Sequence, residues 1–502
     1  MRPIEIALIL VNLLALLLIR IRPSRTVWIG SAGVNLLFLL IHSVFEGLRY
    51  QMALAYLCVV ILLLCAGAKG AGRFSGGRFP RALKTTAVGL SILLLALTSY
   101  LAYALPVFTF PPPTGDYAVG IKYFAFIDEA RRDPFRDKAD QKRYLMVKIC
   151  YPAKDDSSKP YSPYFHNSRA LLGAWARFYH LPGFAFDHLG LVKTHAKDGL
   201  EVSDKHQDYP VVLFSHGAGT TMEAETSQSE DLASHGYVVV DVDHTYVSMA
   251  TAFPGRIVTA QEATTNFDVP EPAGPITQIM ADDDEFVITK LGQLNQGDPA
   301  PAFKGKLNLD AIGVIGHSVG GAVAYNLAIN DRKIKAAINL DGVVYITPKD
   351  PRQIAPFLML ANNKYHVQAI ERRECLMEKF DSSPEGQQRM RDMYGSKKAY
   401  DAAYELAQQN IQGLAEVLKA SGNLYTIEGS DHMKFTEVGL FIGDRRLREL
   451  LQIGGRTIPL RCLVITQAVT AAFFDRYLKG DSADAVSSLV SKYPELKKVS
   501  LN

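Results

Sequence analysis

Four long apolar runs in the first 105 residues constrain this chain more than any other feature of its sequence. Crossing the hydrocarbon core of a bilayer takes about 20 apolar residues in helical form. The runs cover about Ile4–Ile19, Val27–Phe45, Met52–Ala68 and Thr85–Leu105. The second and fourth have the required length, the third is at the lower limit, and the first is shorter and contains Glu5. The sequence therefore predicts a transmembrane segment of about four helices over residues 1–108.

The first run has a competing interpretation as a signal peptide, because the apolar region of a signal peptide is also short. Three arginines follow it without a small-residue cleavage site, at Arg20, Arg22 and Arg25, and this favours a membrane span. A second basic loop lies at residues 69–84. Because basic loops stay in the cytoplasm, we predict a multi-pass protein of the cell membrane whose large C-terminal part is extracytoplasmic. Arg2 is weak evidence for the opposite orientation.

Charge and cysteine content exclude several classes of protein. Residues 1–108 have a net charge of +8, which leaves −5 of the overall +3 for the rest of the chain. Neither part forms the basic face that nucleic acids require, so we expect no nucleic-acid partner. The five cysteines are far apart and form no C-x-x-C pair, so we predict neither a disulfide framework nor a zinc site.

The remainder of the chain has the pattern of an α/β domain. "LPVFTFPPPTG", residues 105–115, closes the membrane part, because three consecutive prolines cannot continue a helix. We predict a Pro-containing linker and lead-in segment over residues 109–142, and a mostly parallel, doubly wound sheet over residues 143–502. The predicted strands are Leu145–Tyr151, Val211–Phe214, Tyr237–Val242, Ala311–Ile315, Ala336–Leu340, Phe357–Leu360 and Leu424–Ile427. Ligands bind such sheets at the carboxyl ends of the strands.

Residues 364–421 interrupt this alternation with a long, charged and helix-favouring segment between two predicted strands. We interpret it as a helical insertion. Two interpretations of its role stay open at this point: a cap over the functional site, or a solvated helical hairpin.

The stretch "AIGVIGHSVGGAVAYNLA", residues 311–328, contains a G-x-S-x-G pattern centred on Ser318. Between a strand and a helix, this pattern is typical of an elbow that exposes a nucleophilic serine. A glycine-rich packing turn is the alternative. A hydrolase of this type would place its acid and then its histidine after the serine, which gives a test within the sequence.

Two of the twelve histidines lie beyond residue 317. His432 follows a predicted strand directly and is the favoured base, whereas His366 opens the insertion and is interpreted as a surface residue. Asp341 ends the strand after the serine and is the favoured acid. Asp431 would need a tight local geometry to orient His432. The strand that ends in "ANN", residues 361–363, offers no carboxylate.

An ester hydrolase also needs backbone N–H groups for the negative charge that develops on the attacked carbonyl oxygen. One donor is expected from Val319, directly after the serine. The loop "SHGAG", residues 215–219, follows another predicted strand and offers the N–H of Ala218 as the second donor. In this interpretation Ser318 attacks an acyl carbonyl, His432 moves the proton, and Asp341 orients the imidazole.

Several segments resemble the secreted and type II platelet-activating-factor acetylhydrolases and their bacterial α/β-hydrolase relatives. The similar segments are "TGDYAVG" (114–120), "FSHGAG" (214–219), "LASHGYVVVDVDH" (232–244), "IGHSVGG" (315–321), "INLDG" (338–342), "GSDHMKF" (429–435) and "AFFDRYLKG" (472–480). The resemblance implies an α/β-hydrolase fold and a site made of Ser318, Asp341, His432 and the N–H groups of Ala218 and Val319. We interpret Asp243 and His244, in one of these segments, as structural.

The resemblance also carries expectations about substrate and cofactors. Family members hydrolyse carboxylic esters and release short or oxidised acyl chains from the sn-2 position of phospholipids, with no metal or other cofactor. We therefore expect a small-molecule or lipid ester substrate and contact with the bilayer, and the sequence predicts no particular protein partner. The alternatives are a general carboxylesterase or lipase, and a membrane sensor whose hydrolase-like domain is not catalytic.

Overall fold

A computed structural model describes residues 1–71, 81–136, 141–263, 273–362, 365–451, 453–481 and 485–501. Most of the basic loop at residues 69–84, together with Asn363, lies outside these ranges. The first described elements are the helices α1 Pro3–Ile21, α2 Arg25–Phe45, α3 Ala53–Gly70 and α4 Arg81–Ala104. Each is long and apolar enough to cross a membrane, so the four candidate spans predicted from the sequence are present.

A buried ion pair fixes one end of this helix bundle. The guanidinium of Arg49, in the turn between α2 and α3, donates to both carboxylate oxygens of Glu5 at 2.6 and 2.7 Å. It also donates to the carbonyls of Ala102 and Leu105 at the end of α4. Because buried charges are stable only when they are paired and hydrogen-bonded, these contacts tie three parts of the bundle together. The start of α1 and the end of α4 therefore lie at the same end.

The rest of the chain contacts this same end of the bundle. The hydroxyl of Tyr50 donates to the carbonyl of Ala185 at 2.9 Å. The N–H of Gly443 donates to the carbonyl of Ala104, also at 2.9 Å. The bundle and the α/β part are thus joined by packing as well as by the chain itself.

The α/β part is built on an eleven-stranded sheet within the described residues, in the order β13-β12-β11-β10-β9-β5-β6-β2-β1-β4-β3. Its first strands are β1 Ala118–Arg132, β2 Lys142–Ala153, β3 Tyr161–Pro163, β4 Lys193–Asp198, β5 Tyr209–Ser215 and β6 Val238–Asp243. The remaining strands of this sheet are β9 Leu307–His317, β10 Ile334–Leu340, β11 Phe357–Ala361, β12 Leu424–Ile427 and β13 Leu496–Lys498. A separate hairpin pairs β7 Ala250–Phe253 with β8 Arg256–Thr259. The six central strands, β6, β5 and β9 to β12, are parallel to one another.

Helices cover both faces of the sheet, as a doubly wound fold requires. The helices of this part are α5 Ser168–Phe178, α6 Thr226–Ser234, α7 Ala273–Gln296, α8 Val319–Asn330, α9 His366–Arg372, α10 Pro384–Tyr394, α11 Lys397–Ser421, α12 Arg445–Leu450, α13 Pro459–Leu478 and α14 Ala485–Lys492. Apolar residues of α7, α8 and α11 bury one face of the sheet, and those of α6, α13 and α14 bury the other. The predicted α/β-hydrolase fold is confirmed.

All seven predicted strands are present, but the sheet begins earlier than the sequence analysis expected. Strand β1 pairs with β2 along most of its length, inside the segment 109–142 that was predicted to be a linker and lead-in. Its second half alternates between buried and exposed residues. A strand of this kind has no solid apolar run, which is the pattern that identifies a fully buried strand in a sequence.

Three helices, α9, α10 and α11, lie in the described part of the insertion between β11 and β12. The carboxyl half of α11 packs into the core through Leu414, Val417 and Leu418, each 1% exposed. The alternative of a solvated hairpin is therefore wrong, because a solvated hairpin would not bury this row of side chains.

Candidate active site

Ser318 lies on a sharp turn between β9 and α8. Its backbone has φ of +56° and ψ of −121°, a conformation that residues with a side chain rarely adopt. Its N–H donates to the carbonyl of Leu340 at the end of β10, at 3.0 Å. Such strain persists only where the surroundings hold it. The structure therefore shows a strand–turn–helix elbow at the position that the sequence pattern predicted.

Two glycines make the elbow sterically possible. A Cβ atom on Gly316 would lie 2.2 Å from the carbonyl carbon of Gly320. A Cβ atom on Gly320 would lie 1.9 Å from the carbonyl oxygen of Ser215 at the end of β5. Neither contact is possible for a side chain, because carbon atoms pack at about 3.5–4.0 Å. The G-x-S-x-G pattern thus reflects close packing of the turn against the neighbouring strand.

Asp341 follows β10 directly and is completely buried. Its Oδ2 accepts hydrogen bonds from Nδ1 of His432 and Nδ2 of Asn362, each at 2.7 Å. Its Oδ1 accepts from Nδ1 of His366 at 2.7 Å and from the N–H of Asn362 at 2.8 Å. Burial alone would raise the pKa of this carboxyl, but His366 and His432 hold the pKa well below its usual range. Asp341 is therefore an ionised acceptor.

His432 reaches Asp341 from the loop after β12. Because an ionised carboxylate only accepts hydrogen bonds, the proton of the neutral imidazole lies on Nδ1. This tautomer leaves Nε2 as the nitrogen that can take a proton from another group. The side chain of His432 is 38% exposed, so substrate and solvent can reach it.

His317 holds the loop that carries His432. Its Nε2 donates to the carbonyl oxygen of His432 at 2.9 Å, and the two rings lie 4.6 Å apart. Burial lowers the pKa of His317 to about 3, which keeps this imidazole neutral. No sequence signal predicts this contact, although His317 stands directly before the serine.

The expectation that His366 is a surface residue is wrong. Its side chain is 9% exposed and donates to Asp341 from the start of α9. Asn362 was likewise passed over because it carries no charge, yet it gives two hydrogen bonds to the same carboxylate. The available signal for Asn362 was its position at the end of β11, the strand next to the one that Asp341 follows.

The two predicted N–H donors belong to the residue after Ser318 and to the loop after β5. Val319 is the first residue of α8, and the first N–H groups of a helix have no acceptor within the helix. Ala218 is exposed in the loop after β5. In that loop a Cβ atom on Gly217 would lie 3.1 Å from Cβ of Ser318. The loop that contains Ala218 therefore packs directly against the elbow.

A buried network of hydrogen bonds stabilises the loop that contains Ala218. His216 donates from Nδ1 to the carbonyl of Gly217 at 2.8 Å and accepts the N–H of His244 on Nε2 at 3.1 Å. The ring of His244 in turn contacts Asp283 at 3.1 Å and the hydroxyl of Ser215 at 3.2 Å. Burial lowers the pKa of His244 to about 4. These contacts agree with a structural role for His244.

The described residues contain no group of three or more His, Cys, Asp or Glu side chains placed to hold a metal ion. The arrangement at the carboxyl ends of β5, β9, β10 and β12 includes a serine, an imidazole that is hydrogen-bonded to a carboxylate, and backbone N–H groups. These are the groups that acyl transfer through a covalent serine intermediate requires.

A serine elbow at this edge of a doubly wound sheet is the arrangement of the carboxylic ester hydrolases with an α/β-hydrolase fold, and this chain is one of them. More narrowly, the chain belongs to the platelet-activating factor acetylhydrolase, isoform II, family, whose model matches residues 104–272 and 276–492. The resemblance found in the sequence is thereby confirmed. The matched region begins at Ala104, the last residue of α4, so the four N-terminal helices lie outside it apart from that residue.

Individual relatives are distant. The chain is 25% identical over 315 residues to the platelet-activating factor acetylhydrolase of Cavia porcellus, covering 57% of this chain and 67% of the relative. It is 27% identical over 264 residues to a probable 1-alkyl-2-acetylglycerophosphocholine esterase of Arthroderma benhamiae, covering 50% and 64%. The chain thus spans about two thirds of the length of these relatives.

A solved structure is similar over nearly its whole length. The ferulic acid esterase from Streptomyces cinnamoneus superposes with a TM-score of 0.56 at 27% sequence identity. The superposition covers 78% of this chain and 99% of the esterase. The α/β part therefore contains a complete esterase fold, to which the N-terminal helices are added.

Proposed function

We propose that this chain hydrolyses carboxylic esters through an acyl-enzyme on Ser318, with His432 as the base and Asp341 as the acid that orients it. The observation that carries the proposal is the 2.7 Å hydrogen bond from Nδ1 of His432 to Asp341, at the edge of the sheet where the strained elbow presents Ser318. This bond fixes the tautomer in which Nε2 is free to accept the serine proton.

The proposed reaction has two halves. Ser318 Oγ attacks the carbonyl carbon while its proton passes to Nε2 of His432, and the N–H groups of Ala218 and Val319 stabilise the oxyanion. Collapse of the tetrahedral intermediate breaks the ester C–O bond, and the leaving alcohol takes the proton from His432. A water molecule then gives its proton to His432 and attacks the acyl-enzyme. Collapse of this second intermediate returns the proton to Ser318 and releases the carboxylic acid.

For the substrate we propose a lipid or short-acyl ester. The names of the curated relatives support a 1-alkyl-2-acetylglycerophosphocholine as the first compound to examine. A general carboxylesterase is the second candidate, because the similar solved structure is described as a ferulic acid esterase.

A substrate panel separates these candidates. Purified full-length protein in lipid nanodiscs would be assayed with a 2-acetyl phospholipid, p-nitrophenyl esters of several acyl lengths and methyl ferulate, with Ser318→Ala as the control for background hydrolysis. A kcat/KM highest for the phospholipid supports the lipid esterase. A preference for ferulate or for simple esters supports the general carboxylesterase, and equal rates for wild type and Ser318→Ala contradict both.

We further propose that the four N-terminal helices span the cell membrane and that the catalytic part lies on the extracytoplasmic side. The extracytoplasmic side is supported by the basic loops, which follow the first and third apolar runs. The start of α1 lies at the same end of the bundle as the α/β part, as an even number of spans requires. A reporter that is active only outside the cytoplasm, fused after Asn502, should be active. Activity of a cytoplasmic reporter at that position would contradict the orientation.

A further inference from the structure

We propose that the cavity between the insertion and the loop after β10 binds a straight aliphatic chain of the ester substrate. This proposal rests on the proposed function, because it assigns the specificity of the same site.

The cavity is open to solvent and is lined mainly by α9, α10, α11, the segment between α9 and α10, and residues 342–345. Its volume is about 1220 Å³. Ligand pockets usually measure about 300–1,000 Å³, so the cavity has room for a group much longer than an acetyl.

The lining of the cavity is mainly apolar and adaptable. Apolar side chains from all three helices of the insertion line it, namely Ile370, Met390, Met393, Leu406, Ile411 and Leu414. Methionine side chains are unbranched and flexible, and they adjust to chains of different shape. Four charged residues line the cavity, and all are exposed: Glu378, Lys379, Asp381 and Arg389. Asp381 and Arg389 form an ion pair with each other at 3.2 Å. The charge therefore lies towards solvent, and the interior suits hydrocarbon.

The cavity adjoins the catalytic groups directly. Gly342, one of its lining residues, follows Asp341, and a Cβ atom on Gly342 would lie 2.1 Å from the carbonyl oxygen of Ser318. His366 also lines the cavity and donates to Asp341. An aliphatic chain attached to an ester carbonyl at Ser318 would thus begin beside Gly342 and His366 and could extend into the apolar cavity.

The chemistry of such a space selects aliphatic chains. Each methylene that moves from water into an apolar cavity strengthens binding by roughly fourfold at most. Esters of membrane lipids carry aliphatic chains of this kind. In the proposed topology, the four apolar helices hold the protein at the bilayer, where such esters are present.

A photoreactive probe tests where the chain lies. The probe is a long-chain alkyl fluorophosphonate with a diazirine at the far end of its chain; Ser318 Oγ displaces fluoride, and light then releases nitrogen and inserts the chain end into its neighbours. With protein in nanodiscs, we expect Ser318 to carry the phosphonate and the photoadducts to lie in peptides of residues 370–414. Photoadducts confined to residues 1–105 or to lipid, on protein that carries the probe at Ser318, would overturn the cavity proposal. Absence of any phosphonate on Ser318 would instead overturn the proposed function.

A matched pair of variants tests the same proposal by kinetics. Ala407→Trp puts an indole on a half-buried lining position of α11, and Glu405→Trp puts one on an exposed position of the same helix outside the lining. Between butanoate and palmitate esters, Ala407→Trp should lower the ratio of long-chain to short-chain kcat/KM about tenfold, which corresponds to burying about two methylenes fewer. Glu405→Trp should leave the ratio unchanged.

A second ester series and a second variant complete the test. Long-chain alkyl acetates carry the chain on the alcohol side, so the series that Ala407→Trp impairs shows which side of the ester enters the cavity. If Ala407→Trp does not fold, Met393→Ala, which enlarges the cavity, should shift the preferred chain to a longer one. The proposal would be overturned if folded Ala407→Trp and Met393→Ala both showed the same dependence of kcat/KM on chain length as the wild type in both ester series.

A separate observation, the second imidazole on Asp341, carries a second inference: we infer that His366 is a positioning residue for the proposed reaction. Its Nδ1 donates to Oδ1 while His432 donates to Oδ2. The two rings lie 6.4 Å apart with their planes at 83°. Together with the N–H of Asn362, which donates to the same oxygen at 2.8 Å, the bond from His366 fixes the rotation of the carboxylate and thereby the place of His432.

Two substitutions distinguish positioning from simple packing. His366→Asn retains an N–H donor near the place of Nδ1, whereas His366→Phe keeps an aromatic ring without a donor. Loss of a hydrogen bond to a charged group costs a factor of about 10–100, so His366→Phe should lower kcat by that factor with little change in KM. It should also raise the pH of half-maximal activity on the acid side, because Asp341 would then stabilise the protonated form of His432 more strongly. His366→Asn should restore both values towards the wild type. Equal losses in folded Phe and Asn variants, or a pH profile unchanged in His366→Phe, would contradict the inference.

Discussion

The carboxyl edge of the sheet and the cavity of the insertion are two halves of one proposed site, and they are built in different ways. At the edge of the sheet, Asp341 accepts four hydrogen bonds of 2.7–2.8 Å and has no solvent exposure. Glycines allow backbone approaches there that no side chain would permit. The wall of the cavity, by contrast, is mainly apolar, with methionines on α10, leucines on α11 and exposed charged side chains.

This difference separates chemistry from selectivity. Acyl transfer needs atoms held to within about half an ångström, and such placement comes from short hydrogen bonds on rigid strand ends. Selection among hydrocarbon chains needs only volume and apolar surface, which flexible side chains provide. Substitutions at the edge of the sheet should therefore abolish turnover for every ester, whereas substitutions in the insertion should alter the preference among esters.

The largest effect is expected from Ser318→Ala. Removing the nucleophile of a serine triad lowers turnover by a factor on the order of 10⁶, and the loss should be the same for short and long esters. Steady-state hydrolysis of an ester series by a folded variant, checked by its melting temperature, measures this. Residual activity that still varies with acyl length would place the reacting group elsewhere.

Asp341→Asn comes next. The amide cannot serve as an ionised acceptor for two imidazoles, and loss of the correct histidine tautomer costs on the order of 10⁴ in kcat. The variant should show this loss with KM nearly unchanged, in assays of all esters at saturating concentration. Asp431→Asn, next to His432 but without a described hydrogen bond to its ring, is the matched control and should retain activity. The reverse result would make Asp431 the orienting acid.

The pH profile gives a smaller effect that depends on the same contacts. The pKa of Asp341 is lowered in the folded protein. The ionised carboxylate therefore stabilises the fold at every pH above the pKa of an aspartate in the unfolded chain, which is about 4. That contribution is lost only as the pH falls below about 4. Activity on the acid side should therefore follow protonation of one imidazole, about tenfold per pH unit, on protein that stays folded. A loss that coincides with unfolding, measured by circular dichroism, would contradict this.

The smallest effect is expected from Met390→Ala in the insertion. The side chain is buried and lines the cavity, and its removal should cost about 2–5 kcal/mol of unfolding free energy or less, because neighbouring methionines can move into the space. Hydrolysis of short esters should stay within about twofold of the wild type, with longer chains preferred. Chemical denaturation and the ester series together measure both values. A loss as large for acetate as for palmitate would remove the distinction between the two regions.

The parts of the site that the sequence predicted are those that follow one another along strand ends. The elbow of Ser318, Asp341 after the next strand and His432 after a later one are encoded by local pattern and chain order. Their hydrogen bonds in the structure agree with that order, and their catalytic roles stay predictions until they are measured.

The parts that the sequence did not reveal depend on tertiary approach. His366 reaches Asp341 because α9 begins immediately beyond β11, and His317 reaches His432 because the loop after β12 folds back across the sheet. No local pattern encodes either contact. Strand β1 was missed for a different reason, since its partly exposed side lacks the continuous apolar run of a central strand.

The most direct test of the central claim is labelling of the full-length protein with a short fluorophosphonate, followed by mass spectrometry of the modified peptide. Our account predicts one adduct on Ser318, absent in Ser318→Ala and much slower in Asp341→Asn. Folded wild-type protein that remains unlabelled would mean that the domain is not a serine hydrolase and would favour a non-catalytic membrane sensor. An adduct on another residue would place the nucleophile outside the elbow.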